Sequence, residues 1–102
     1  MIIFVDIDET ICFYEEEIAL DGKKPYEKAK PSYENIEKVN KLYDDGNQIV
    51  YWTARGSRSG IDWLEFTQKQ LQKWGAKYHE VRCDKPYFDI FIDDRNKRIE
   101  EV

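Results

Sequence analysis

Apolar positions fall into short runs separated by longer polar stretches. Ile2 to Ile7 is nearly continuous and rich in branched side chains, the pattern of a strand buried on both faces of a parallel sheet. Gln48 to Trp52 (QIVYW) and Phe88 to Ile92 (FDIFI) share that pattern, the second interrupted by Asp89, and Tyr78 to Val81 is a weaker strand. Between them the period changes to that of a helix. Pro31-Ser32 is a start signal, with Glu34 and Glu37 near the positive end of the helix dipole, Ile36, Val39 and Tyr43 at helical spacing, and Gly46 as a stop. A second helix starts near Asp62, where Asp62 and Glu65 suggest a capping box, carries Leu64, Leu71 and Trp74 on one face, and ends at Gly75.

Strand, helix, strand, helix, strand, strand predicts a parallel α/β sheet covered by helices. Residues 11–30 fit neither period. A turn signal at Asp21-Gly22 between short apolar pieces predicts a small hairpin or flap inserted into a single domain that spans 1–102.

Composition agrees with a folded domain. The chain has 102 residues, 41% hydrophobic and 36% charged, with a net charge of -5 that disfavours nucleic acid and anionic membranes, since those need a basic field. Cys12 and Cys83 lie far apart and form no zinc spacing, so both are read as free thiols in a reducing cytoplasm. The N-terminal apolar run is far shorter than a membrane span and has no basic stretch before it, which predicts a cytoplasmic protein with no membrane partner.

The polar residues at the strand ends carry the chemistry. Ligands of open α/β sheets bind beyond the carboxyl ends of the strands. Asp6 and Asp8 follow the first strand, Thr53, Ala54 and Arg55 the second, and Asp93 and Asp94 the last, with Lys85 before it. Crowded carboxylates need a cation among them, and oxygen-only ligands suit Mg²⁺. Such a metal would also neutralise a phosphate oxygen, leaving one carboxylate to attack phosphorus and another to move protons. Asp6, fixed at the strand end, is the nucleophile candidate, and Asp8 the acid and base. Thr53 with a neighbouring N–H would hold the phosphoryl oxygens, Lys85 would neutralise charge, and Asp93 would be the remaining metal ligand. Arg55 and Arg58 are candidates to grip the rest of an anionic substrate, with surface solubility an equal reading.

With these residues placed, the chain resembles the haloacid dehalogenase superfamily of phosphatases. DIDET at 6–10 matches its DxDxT motif, Thr53 its second motif, Lys85 its third, and Asp93-Asp94 after FDIFI its fourth. The resemblance is nearest to small phosphatases of capsule and surface-polysaccharide biosynthesis, through WTAR, KP and IDDR. It implies a minimal three-layer sandwich with strand order 3-2-1-4 and no cap domain, and a Mg²⁺ site of Asp6, the Asp8 carbonyl and Asp93, with Asp94 ordering the metal's water shell or Lys85. The implied activity is hydrolysis of a phosphate monoester, a sugar phosphate or related small organophosphate, through an aspartyl phosphate. Without a cap, the site is either open to a large substrate or closed by a second subunit of a homo-oligomer. The alternatives are a phosphatase of nucleotides or of nucleic-acid 3′ ends, and a receiver-like signalling domain that keeps its phosphoryl group.

Overall fold

A computed structural model describes residues 1–15 and 25–102. In chain order its elements are β1 (Ile2–Val5), β2 (Cys12–Phe13), β3 (Lys30–Pro31), α1 (Tyr33–Asp44), β4 (Gln48–Trp52), α2 (Leu64–Lys73) and β5 (Glu80–Arg82), with single 3₁₀ turns at Tyr26–Lys28 and Ile99–Glu101.

Both predicted helices form, each for a local reason. The Ser32 hydroxyl accepts the Asn35 N–H at 3.3 Å and caps α1, and Gly46 ends it with a φ of +97° that other residues resist. The capping box expected at α2 is absent. Asp62 accepts the Leu64 N–H at 3.0 Å ahead of the helix, while Glu65 pairs with Lys69 on the surface at 3.0 Å. Buried Asn40 ties the helices together, donating to the Gly75 carbonyl at 2.9 Å and accepting the Lys77 N–H at 2.8 Å.

The main sheet is parallel, in the order β1-β4-β5, with Ile3 opposite Ile49 and Tyr51 opposite Val81. Each strand is added on the same side of its predecessor. Right-handed crossovers then put both helices on one face, and a single core joins Val5, Ile49 and Tyr51 to Ile36 and Val39 of α1 and Leu71 of α2. Thus the protein is a small α/β domain whose described residues form two layers, and the expected third layer is not formed among them. On the bare face Ile2 and Phe4 are 68% and 47% exposed, so β1 is not the doubly buried strand that its apolar run predicted.

The predicted fourth strand is also missing from the sheet. Phe88–Ile92 has no ladder partner, and Ile90 and Ile92 are 77% and 93% exposed. The reason is connection length. Parallel strands need a crossover of about a dozen residues, and only the five from Cys83 to Tyr87 separate β5 from this segment. The sheet therefore has no strand beyond β1 among the described residues, and strand order never reverses.

A short two-stranded ladder joins the two ends of the segment expected to form a flap over 11–30. β2 and β3 pair antiparallel, Cys12 opposite Pro31 and Phe13 opposite Lys30. Its predicted turn at Asp21-Gly22 lies outside the described residues.

Candidate functional site

The turn after β1 sets the first two acids. Ile7 and Ile11 are fully buried, and the Ile7 carbonyl accepts the N–H groups of Thr10 at 3.1 Å and Ile11 at 2.9 Å. Glu9 closes the turn by donating its N–H to the Cys12 carbonyl at 2.9 Å, with φ at 62°. Asp6 is left at the carboxyl edge, its side chain 41% exposed and accepting the Ile7 N–H at 2.9 Å. Burial pushes the Asp6 carboxyl above the usual carboxylate range, and Asp8 adds to this, while Lys85 and the Ile7 N–H oppose it.

Asp8 turns inward instead. Arg55 grips both of its oxygens, Nε to Oδ2 at 3.0 Å and Nη2 to Oδ1 at 2.9 Å, in a planar two-bond pairing. The Tyr14 hydroxyl and the Cys12 thiol also point to Oδ1. Burial, with Asp8 close by, pushes the Cys12 thiol up to about 12 and the Tyr14 hydroxyl higher than its usual range.

Arg55 is the site's central residue, and the sequence, which marked it as a candidate substrate grip, did not show its role of holding Asp8. It is 1% exposed, and its Nη1 donates to Thr67 at 3.2 Å and to Gln70 at 2.8 Å, both on α2, while its guanidinium lies 4.6 Å from the centre of the Tyr26 ring. Burial works against its charge, and the bonds to Asp8 overcome this, so its pKa is raised. Arg55 is thus fully engaged by protein partners, and the expected grip on substrate does not occur in this arrangement. The only sequence hint was Thr67 and Gln70 at a helical spacing of three, polar residues beside buried Leu71.

Thr53 and Lys85 complete the edge. Buried Thr53 donates its N–H to the Arg82 carbonyl at 2.9 Å and accepts the Arg55 N–H on Oγ1 at 3.2 Å. Its carbonyl accepts the Lys85 N–H at 3.2 Å, which brings Lys85 Nζ to 3.6 Å from Asp6 Oδ1 and over the rings of Trp52 and Phe88. The loop after Ala54 is tight because Gly56 has φ at +86° and a Cβ there would lie 2.1 Å from the Ile61 carbonyl oxygen. Exposed Arg58 rests over the Tyr87 ring at 4.5 Å.

Asp6, Asp8, Thr53 and Lys85 are therefore gathered, with Arg55 behind them. Asp93 and Asp94 are exposed, and Asp93 accepts the local Arg95 N–H at 3.3 Å. No group of three or more His, Cys, Asp or Glu side chains among the described residues is placed to hold a metal ion. Mg²⁺ wants about six oxygens in octahedral array. Asp6 offers one carboxylate that already meets the Ile7 N–H and the Lys85 ammonium, and Asp8 is held by Arg55, so this arrangement does not fit the ion.

No protein-family model matches the chain, and no curated protein matches it. Among solved structures, the crystal structure of a structural-genomics target from Vibrio cholerae is similar, with a TM-score of 0.80 and 26% identity over 98% of this chain and 85% of the other. No helix among the described residues is long and apolar enough to cross a membrane.

Proposed function

We propose that the protein is a phosphomonoesterase of the haloacid dehalogenase type, acting in the cytoplasm on a sugar phosphate or related small organophosphate. One observation carries the proposal. A strand-end carboxylate, Asp6, lies partly exposed beside the Lys85 ammonium at 3.6 Å, and a second carboxylate two residues later is fixed by Arg55.

The chemistry follows from these positions. Asp6 Oδ attacks phosphorus, the ester P–O bond breaks, and the leaving alkoxide takes a proton from the Asp8 acid. Asp8, now a carboxylate, takes a proton from water, whose oxygen attacks the aspartyl phosphate; the P–O bond to Asp6 breaks and inorganic phosphate leaves. Lys85 offsets charge on the phosphoryl group, and exposed Arg58 is free to meet the non-reacting end of an anionic substrate. Asp8 accepts on both oxygens here, the state suited to the second half. Arg55 must yield one oxygen for the first.

Mg²⁺ belongs to the proposal through the motifs: it would supply charge neutralisation at the phosphoryl group, and Asp93 has to come to Asp6 before the ligand set is complete. The test is release of phosphate from a generic aryl phosphate with and without Mg²⁺. Wild type is expected to turn over and Asp6→Asn to be silent, with phosphoenzyme building up in Asp8→Asn. Activity that survives in contaminant-free Asp6→Asn would remove Asp6 as nucleophile.

A further inference from the structure

Two of the donors on Asp8 come from the strand that follows its turn. A backbone bridge pairs Asp8 with Cys12 and so brings β2 beside the acid. The period of two along an extended chain then places Tyr14 on the same side as Cys12, with Phe13, 39% exposed, on the other. The Cys12 thiol lies 3.5 Å from Asp8 Oδ1, and the Tyr14 hydroxyl donates to the same atom. β3 braces this strand through the pairing of Phe13 with Lys30. The other holder, Arg55, comes from the loop after β4 and is itself tied to Thr67 and Gln70.

Asp8 has to work in two protonation states, and its holders do not suit both equally. A guanidinium carries donors only, so its two-bond grip matches a carboxylate and conflicts with a carboxylic acid, whose O–H is itself a donor. A phenol hydroxyl is donor and acceptor at once, and by rotating it can give a hydrogen bond to the carboxylate or take one from the acid. A thiol does both only weakly.

We propose that Tyr14 is the positioning residue of Asp8, its hydroxyl keeping the carboxyl aligned in the half-reaction in which Arg55 yields an oxygen. The Asp8 O–H proton then passes to the leaving oxygen from a fixed orientation as the ester P–O bond breaks. Asp8 is left a carboxylate, which Tyr14 and Arg55 hold together for the attack of water. Tyr14 exerts this role through Asp8, without a bond to substrate. It lies four residues beyond DIDET, outside the motif.

The role rests on the proposed phosphatase reading; the bond between Tyr14 and Asp8 does not. Tyr14→Phe keeps the ring and removes the hydroxyl. With an alkyl phosphate, whose leaving oxygen needs the proton, first-turnover release of the alcohol should fall about tenfold or more at an unchanged half-saturating concentration, a part of the ~10²–10⁴-fold that a placed acid supplies. With nitrophenyl phosphate, whose leaving group departs without a proton, first-turnover release should stay within about twofold of wild type. A merely structural role would lower both alike, so equal losses, or no loss on the alkyl ester, overturn the proposal. Urea unfolding reads the bond without substrate. Tyr14→Phe should lower the midpoint in the wild-type chain and leave it unmoved in the Asp8→Ala/Arg55→Met chain, which carries no orphaned charge; equal shifts in both refute the bond and the role with it. A wild type that hydrolyses no phosphate ester removes the phosphatase reading and the positioning role together, whereas an active wild type that Tyr14→Phe leaves unaffected removes the role alone.

Discussion

Removing Arg55 should unfold the protein more readily than any other single surface-to-core change at the site. Its side chain is fully buried against an Asp8 side chain that is 13% exposed, and four side-chain hydrogen bonds leave it, two to Asp8 and one each to Thr67 and Gln70. Arg55→Met keeps much of the stem and deletes the charge, leaving the Asp8 carboxylate without its cation. Breaking a buried pair from one side costs about 3–5 kcal/mol, against a total of about 5–15 kcal/mol for a domain. At about 4–8 °C per kcal/mol, the midpoint should fall by about 12 °C or more. Urea unfolding followed by the fluorescence of Trp74, 7% exposed, reads the change. A cycle with Asp8→Ala gives the coupling, since the double variant carries no orphaned charge and should be less destabilised than the sum by about 2–3 kcal/mol. The reasoning is refuted if Arg55→Met costs under about 1 kcal/mol, the level of an exposed pair, or if the cycle is additive.

Three further outcomes follow from single side chains. Tyr51 is fully buried and its hydroxyl has no hydrogen-bond partner, so Tyr51→Phe should keep or raise stability by up to about 1 kcal/mol, and a clear loss in urea unfolding would show a missed partner. Glu9 holds φ at 62°, where an ordinary residue is strained by about 1–2 kcal/mol, so Glu9→Gly should raise the thermal midpoint; a fall would mean that the Glu9 side chain matters more than the backbone. Asp6 has a raised pKa in the fold, so the folded state binds its proton more readily than the unfolded one, and its contribution to stability is greatest below the unfolded value and lost as pH rises through the folded value. In chelator-treated protein Asp6→Asn should therefore be the more stable form at about pH 7, with the advantage fading toward about pH 4; equal urea midpoints at both would show that Lys85 has already cancelled the cost of burial.

Elements whose cause is local were legible in the sequence. Ser32 and Gly46 mark both ends of α1, and QIVYW at 48–52 became the central strand. FDIFI misled because periodicity describes a segment's preference and not whether the chain can deliver it. The short link from Arg82 decides that, and it was countable from the start. The same holds for the layers: reading which face a helix covers requires strand order, and three strands added in one direction leave the other face bare. At the site, Asp6, Thr53 and Lys85 were found because each sits beside a strand end. The role of Arg55 was hidden because its partners come from the turn after β1 and from α2, distant in sequence and joined only by folding.

The strand order also fixes a timetable for synthesis. β1 has no parallel neighbour until β4 has been made. Arg55 leaves the ribosome directly behind β4, so Asp8 meets its guanidinium with the first pair of strands, and α2 then seals that contact through Thr67 and Gln70. Lys85 arrives only after β5. Asp8 is therefore closed by residues from the middle of the chain, whereas the ammonium beside Asp6 comes from the segment beyond β5.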